Sequence, residues 1–240
     1  MKAPAEPRIE YQPYDDATQI AWQIPRYPKS FTRVPSQPLI QRPLTLTELT
    51  GPAGIADRLG AEKLNLSQAV EDGPRALGQL ISVRGRVMDE DGSPIAGAVI
   101  EIWQANASGK YIHELDRFDA PLDPNFTGQG RLITDSEGCY EFLSIKPGAY
   151  PVAESGWWWR PPHIHFSIFG PSWMDRFVTQ IFFPGEPLNE TDLLLNGVAD
   201  EEARQTLLFE AKAPAMTPRM LIPYERDFVL RGKRRTPELP

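Results

Sequence analysis

The chain is poor in cysteine and in long apolar runs, and both scarcities exclude classes of protein. Its 240 residues contain one cysteine, Cys139, which excludes an internal disulfide framework and favours a reducing compartment. No apolar run approaches the roughly 20 residues that a membrane-spanning helix needs. The first residues also lack the apolar stretch of a signal peptide. We therefore expect a cytoplasmic protein that does not bind a membrane.

The chain also has fewer basic than acidic residues. The chain has 25 Lys and Arg residues against 32 Asp and Glu residues, a formal net charge of −7. An acidic protein is poorly suited to binding the phosphates of nucleic acid or of an anionic membrane surface. We expect neither as a partner.

The first 50 residues are rich in proline and follow neither a helical nor a strand period. Each proline removes a backbone donor and restricts the residue before it, so this segment is expected to be extended and irregular. It also carries aromatic residues, which predicts that it packs on its own domain or on a partner. A capping box at residues 45–48 could open a short helix. We therefore assign residues 1–78 to an N-terminal arm with a short helix.

Residues 79–240 have the pattern of an all-β, two-sheet sandwich. In residues 80–88 the apolar side chains alternate with Arg84 and Arg86, as expected for a strand with one buried face. A turn at residues 91–92 should lead into a return strand. One helix is expected at residues 200–211, with Asp200 as its N-cap. The other predicted strands lie at residues 98–103, 132–134, 140–142, 163–169, 177–183 and 226–230.

The most informative motif is W-R-P-P-H-I-H-F at residues 159–166. On a strand, His163 and His165 point to the same side, with Cβ atoms roughly 6.5–7 Å apart, close enough to share a metal ion. Tyr111 and Tyr150 are the nearby donors that could complete such a site. Because a phenol has a pKa near 10, its ionisation at neutral pH requires a strongly charged Lewis acid, which favours ferric iron over zinc. The remaining histidine, His113, is interpreted as a surface residue or a group behind the ligands.

Several motifs together resemble the intradiol ring-cleaving dioxygenases. They are W-Q-A-N-A-S-G-K-Y (103–111), D-P-N-F (123–126), T-D-S-E-G (134–138), I-K-P-G-A-Y-P (145–151), W-R-P-P-H-I-H-F (159–166) and V-T-Q-I-F-F-P-G (178–185). The resemblance extends from about Tyr27 to residue 232. It implies a non-haem Fe(III) enzyme that inserts O2 between the two hydroxylated carbons of a catechol. Within the family the chain is most similar to catalytic subunits of heteromeric members, which implies a homologous α subunit as partner in a hetero-oligomer.

The same resemblance assigns the site residue by residue. Tyr111, Tyr150, His163 and His165 match the four iron ligands, and the ligand at Tyr150 is the one that leaves the metal when the catechol binds. That tyrosinate can then accept one of the two catechol protons, which gives Tyr150 a catalytic role as well. 

Further matches concern the substrate. Arg160 matches an arginine that stabilises negative charge on the activated ring. Gln180 matches a polar group near the oxygen pocket, and Tyr27 matches an aromatic of the arm that lines the substrate site. Val152 stands where the family usually has a tryptophan in the pocket wall.

Three alternatives remain open. Val152 and the unusual segments 153–158 and 188–198 reshape the pocket, so the substrate could be protocatechuate or another catechol such as 4-sulfocatechol or hydroxyquinol. A homodimeric catechol or hydroxyquinol enzyme is less favoured, because the proline-rich start is unsuited to a helical dimerisation domain. A non-enzymatic transthyretin-like binding module is the alternative of another class, since residues 83–103 also resemble such modules.

Overall fold

The computed structural model describes the sandwich and part of the arm. The described residues are 18–21, 23–27, 29–35, 37, 64–152, 156–170, 176–213, 220–230 and 234–239. The predicted helix start at residues 45–48 lies outside them. None of the described helices is long and apolar enough to cross a membrane.

Most of the described secondary-structure elements are strands. In chain order the elements are α1 (Lys29–Arg33), β1 (Leu64–Asn65), β2 (Leu80–Met88), β3 (Val99–Trp103), β4 (Gln129–Ile133), β5 (Cys139–Ile145), β6 (Tyr150–Pro151), β7 (Trp159–Arg160), β8 (His163–Phe169), β9 (Arg176–Phe182), two 3-10 helices (Pro187–Glu190 and Leu195–Gly197), α2 (Glu201–Gln205), β10 (Glu210–Ala211), β11 (Ile222–Glu225) and β12 (Phe228–Val229). The all-β prediction is confirmed.

The strands form two sheets that enclose one core. Within the described residues, the first sheet has the order β1-β5-β2-β11-β10, with β12 also paired to β2, and the second has the order β4-β3-β8-β9. Strands β6 and β7 pair as a separate ribbon. Buried side chains of both sheets, such as Ile81, Phe142, Ile164 and Phe166, belong to the same apolar cluster. Burying these faces against each other is the main stabilising contribution of a sandwich.

The alternating pattern of β2 is confirmed by its burial. Ile81, Val83 and Val87 are fully buried, whereas Arg84 and Arg86 are exposed. Strand β8 has the predicted bounds, residues 163–169. It is the central strand of the site, because it pairs with β3 on one side and β9 on the other.

Two sequence predictions about local structure are wrong. Strand β3 does not return alongside β2, because β2 pairs with β5, β11 and β12 while β3 lies in the other sheet. The turn at residues 91–92 exists, but the chain then crosses from one sheet to the other. The helix predicted at residues 200–211 ends at Gln205, and residues 210–211 form a strand instead. Its predicted N-cap is confirmed, since Asp200 accepts a hydrogen bond from the Ala203 amide.

The described part of the arm lies against the sandwich. Ile20 forms a β-bridge with Val198, and the Tyr27 ring packs edge-on against Trp158 with ring centroids 5.1 Å apart. Strand β1 lies in the segment that the sequence assigned to the arm, and it pairs in parallel with β5 at the edge of the first sheet. Tyr27 is thus an aromatic residue of the arm that packs against the core.

Candidate metal centre and substrate cleft

Four side chains from three parts of the chain meet at one end of the sandwich. The Tyr111 hydroxyl lies 3.1 Å from His165 Nε2, which lies 3.3 Å from His163 Nε2. The Tyr150 hydroxyl lies 3.2 Å from His163 Nε2. The two tyrosine rings also contact each other edge to face, with centroids 5.2 Å apart. All four predicted donor residues therefore point at one small volume.

Strand β8 supplies the two histidines because its alternation places them opposite the core. The residues between and after them, Ile164 and Phe166, are fully buried between the sheets. The His163 Nδ1 lies 2.6 Å from the Pro161 carbonyl oxygen. A carbonyl can only accept, so Nδ1 carries the proton and the lone pair is on Nε2. The His165 ring stacks on Trp103 of the neighbouring strand, with centroids 4.7 Å apart.

The loop after β3 holds Tyr111 through two polar residues. The Asn106 Oδ1 accepts hydrogen bonds from the amides of Ser108 and Lys110, at 2.9 and 3.0 Å. The Asp116 Oδ2 accepts from the Tyr111 amide at 2.8 Å. Side chains that bond neighbouring amides in this way hold a loop in one conformation.

Tyr150 is positioned by close approach of two backbones. Gly148 donates its amide to the Asn106 carbonyl at 2.9 Å, and Gly109 has φ +78°. A Cβ at Gly109 would lie 2.2 Å from the Ala149 carbonyl oxygen, so glycine is required there. Tyr150 then pairs with Arg160 in the small β6–β7 ribbon. The loops that carry Tyr111 and Tyr150 are thus held in a fixed position relative to each other.

Burial sets the charge state of the four donors. Burial, aided by the Arg160 charge, lowers the pKa of His163 well below its usual value and that of His165 to about 3. Burial also raises the pKa of the Tyr111 phenol well above its usual value, and that of the Tyr150 phenol above its own. These shifts favour neutral imidazoles and protonated phenols.

This arrangement fits a single metal ion. Donor atoms bound at about 2.0–2.2 Å to one ion lie roughly 3–3.5 Å from one another, which matches the three distances given above. Neutral imidazole nitrogens are common metal ligands, and a bound cation would offset the cost of ionising the phenols. In the described part of the chain, no group of three or more His, Cys, Asp or Glu residues could hold a metal ion. The tyrosine-histidine cluster is therefore the candidate metal centre.

Arg160 lies beside the cluster in a buried network. Its Nε donates to Asp192 Oδ2 at 2.7 Å, and its Nη2 donates to the Gln180 Oε1. Its guanidinium carbon lies 5.3 Å from the Trp158 ring centroid, within cation–π range. Burial opposes the charge, but Asp192 and the nearby phenols raise the pKa of the guanidinium above its usual value. A permanent positive charge is thus held next to the candidate metal centre.

A cleft of about 720 Å³ opens onto the cluster. Of the predicted substrate residues, Tyr27, Val152 and Arg160 line it, together with Tyr111, Tyr150 and His165. Gln180 is 1% exposed and is not among the lining residues, so it reaches the cleft through its contact with Arg160. A cavity of this size accommodates a small aromatic ring with substituents.

Other notable residues were not among the predicted site residues. His113 is exposed at the cleft mouth, where its Nδ1 accepts a hydrogen bond from the Leu115 amide. Of the three adjacent tryptophans, Trp158 is buried, whereas Trp157 and Trp159 are 48% and 43% exposed. Cys139 is free and only partly buried.

Asp116 and Asp192 are the site residues that the sequence prediction missed. Asp116 holds the Tyr111 loop and Asp192 holds Arg160. A signal for Asp192 existed in the sequence, because a carboxylate next to Leu193, Leu194 and Leu195 is expected to be buried and then needs a partner. No comparable signal marked Asp116.

The sandwich and its tyrosine-histidine cluster define the class: a β-sandwich protein with a candidate two-His, two-Tyr metal centre beside a ring-sized cleft. A family model described as dioxygenase matches residues 49–232. The protocatechuate 3,4-dioxygenase beta chain of Burkholderia cepacia is 43% identical to this chain over 225 residues, 94% of this chain and 95% of that one. The chain belongs to the intradiol dioxygenase family and is an aromatic ring-cleaving enzyme.

More distant relatives share the sandwich. The catechol 1,2-dioxygenase 2 of Acinetobacter lwoffii is 37% identical over 121 residues, which are 46% of this chain and 42% of that protein. The crystal structure of catechol 1,2-dioxygenase from Pseudomonas arvilla C-1 is 25% identical with a TM-score of 0.53, covering 72% of this chain and 58% of that one. The chain thus spans about half the length of these catechol-cleaving relatives. The alternative of a non-enzymatic binding module, suggested by residues 83–103, is wrong, because the chain belongs to a family of ring-cleaving enzymes.

Proposed function

We propose that the chain is the iron-binding catalytic subunit of a hetero-oligomeric protocatechuate 3,4-dioxygenase. The substrate would be a catechol with an acidic group para to one hydroxyl, cleaved by O2 to 3-carboxy-cis,cis-muconate. The observation that carries the proposal is the convergence of Tyr111, Tyr150, His163 and His165 within 3.1–3.3 Å contacts. Two phenols beside two imidazoles form a donor set suited to a hard, trivalent ion.

Fe(III) held by these four side chains would act as a Lewis acid that favours the ionised forms of the phenols and of the catechol hydroxyls. Tyr150 is the donor that would exchange with the substrate. Its phenolate oxygen would accept one of the two protons that the catechol loses on binding. Tyr150 is partly buried and lines the cleft, so a catechol bound there would lie next to its side chain.

Arg160 would stabilise the negative charge that develops on the ring. Arg160 lines the cleft and is 5% exposed, and its guanidinium is held by a hydrogen bond to Asp192. A charge that is already in place and poorly solvated stabilises a developing anion more than a mobile surface charge does. Trp158 and Tyr27 pack together at the same wall and limit the entry of water.

The ring substituent is the least constrained part of the proposal. Val152 lines the cleft, and its amide donates a hydrogen bond to the Trp158 carbonyl at 2.9 Å. Its side chain is small and leaves space in the cleft for a ring substituent. Lys29 and Arg117 also line the cleft and could attract an acidic substituent. Both features suit protocatechuate, and they equally suit a catechol with a larger anion such as a sulfonate.

The beta-chain name of the Burkholderia cepacia relative supports a homologous α subunit as partner. The exposed Trp157 and Trp159 lie near the cleft, as expected for residues that a partner could cover. We also propose a cytoplasmic location, since the one cysteine in the chain is free.

The test is co-expression with candidate α subunits, followed by oxygen uptake with protocatechuate, catechol, hydroxyquinol and 4-sulfocatechol. We expect a red to purple, iron-containing protein that consumes one O2 per catechol, with protocatechuate or 4-sulfocatechol preferred. Tyr150→Phe should change the colour and slow turnover, and His163→Ala should lose iron. A colourless, iron-free preparation with full ring-cleaving activity would refute the proposal.

A further inference from the structure

Asp192 is a buried charge to which the proposed function assigns no part in turnover. It is 0% exposed and lies in the segment between the two 3-10 helices, next to three leucines. A carboxylate without water must be paired and hydrogen-bonded, or it is strongly destabilising. Its partners therefore indicate what it does.

The two carboxylate oxygens of Asp192 have different partners. Oδ1 accepts from the amides of Leu194 and Leu195, at 3.0 and 2.8 Å, and so anchors the second 3-10 helix. Oδ2 accepts from Arg160 Nε at 2.7 Å. The carbonyl of Asp192 also accepts from the Asn196 amide at 3.1 Å. One side chain therefore joins this loop segment to the guanidinium.

The Arg160 guanidinium is held at two of its nitrogens by two different elements. Asp192 binds Nε from the loop, and Gln180 binds Nη2 from β9. The rings of Trp158 and Phe182 lie 5.3 and 5.9 Å from its central carbon. Two hydrogen bonds on one planar group determine both its position and the tilt of its plane.

Of these contacts, only Asp192 carries a charge. Gln180 can accept a hydrogen bond but cannot compensate a buried guanidinium. Without Asp192, Arg160 would be an unpaired buried cation, and it would be expected to turn toward solvent or toward the anionic substrate in a different geometry.

We propose that Asp192 is a positioning residue that holds Arg160 in the orientation required to stabilise negative charge on the bound catechol. This inference rests on the proposed function. It predicts that Asp192 affects turnover only through Arg160, and that the pair is coupled in the metal-free protein as well.

The first experiment compares Asp192→Asn with Asp200→Asn. Asp200 is a matched control, because its carboxylate also accepts a backbone amide at the start of a helix, but at α2. In the iron-loaded protein D192N should lower kcat by about 10- to 100-fold with a smaller change in KM and an unchanged visible absorption band. D200N should keep the wild-type kcat. A D192N protein with kcat within twofold of wild type would overturn the inference.

The second experiment adds Arg160→Met and the double variant R160M/D192N. If Asp192 acts through Arg160, D192N should lower kcat less than twofold in the R160M background. An equal fall in both backgrounds would show a structural role of Asp192 alone and would overturn the inference.

The same four proteins are compared without metal by thermal unfolding. R160M leaves Asp192 unpaired and should lower Tm by roughly 6–20 °C, and adding D192N should recover at least half of that loss. The double variant has no unpaired buried charge, so this comparison works even where D192N alone folds poorly. Absence of any recovery would overturn the coupling.

Different results would refute the proposed function and the coupling between Asp192 and Arg160. A wild-type protein that binds no iron and consumes no oxygen with any catechol would refute the proposed function. The metal-free unfolding cycle would still report whether Asp192 and Arg160 are coupled.

Discussion

Gly109→Ala should disturb the site by pushing two tyrosine loops apart. Gly109 has φ +78°, and a Cβ there would lie 2.2 Å from the Ala149 carbonyl oxygen and 3.4 Å from the Tyr150 Cβ. Relief of that contact requires a shift of about 1 Å in the backbone just before Tyr150. The perturbation therefore acts on one metal donor through the backbone, with no change to any donor atom.

The destabilisation of the fold by Gly109→Ala has two contributions. The left-handed φ costs a non-glycine residue roughly 1–2 kcal/mol, and overpacking typically costs about 1–3 kcal/mol. Together they destabilise the fold by about 2–5 kcal/mol, which in a chain of this size lowers Tm by roughly 4–20 °C. A displacement of about 1 Å at a catalytic group can lower turnover about 100-fold.

Gly92→Ala is the matched control. Gly92 has φ +82° and no atom within 4 Å of the position of its Cβ, so the variant carries the backbone strain without the clash. Thermal unfolding of the metal-free proteins, and visible absorption and kcat of the iron-loaded proteins, should be measured for both. We expect G92A to lose a few degrees of Tm and to keep its colour and turnover. Equal losses in G109A and G92A would refute the idea that close approach aligns the two tyrosines.

Three further predictions address the wall, the loop and the metal. Val152→Trp should fill part of the cleft and raise KM for 4-sulfocatechol more than for protocatechuate; an equal change for both substrates would argue against Val152 as a specificity residue. Asp116→Asn should lower Tm and weaken iron retention because it loosens the Tyr111 loop, whereas Asp89→Asn, in a similar turn far from the cluster, should affect Tm alone. Dialysis of the iron-loaded protein against a chelator should abolish colour and oxygen uptake while the far-ultraviolet circular dichroism stays unchanged, and loss of the β signal would mean that the metal is needed for the fold.

The strands that were predicted with correct bounds have strong local signals. In β8 the apolar residues alternate without interruption, and in β2 Ile81, Val83 and Val87 share one buried face, so burial of one face specifies each strand. Short strands were missed because two or four residues cannot show a period. Strands β1, β10 and β11 are of this kind, and they are held in place by their pairing with β5, with each other and with β2.

The wrong hairpin between β2 and β3 has a different cause. A turn such as that at Gly92 shows that the chain changes direction, but it carries no information on which sheet receives the next strand. In this fold β3 joins the opposite sheet, where it pairs with β4 and β8. That choice depends on how the two apolar faces pack, which is a property of the whole domain.

The candidate site likewise contains residues that the sequence motifs predict and one residue, Asp192, that only the fold brings there. Arg160, His163 and His165 lie in one continuous motif, and the resemblance of the motifs that contain Tyr111 and Tyr150 to the same family added those two residues. Asp192 lies 32 residues beyond Arg160, in a loop that no period describes. Its leucine neighbours predict that it is buried and therefore needs a cation, but the chain offers 25 Lys and Arg residues as candidates. Only the return of the loop after β9 toward the β6–β7 ribbon selects Arg160, so this pairing is determined by tertiary packing and not by the local sequence.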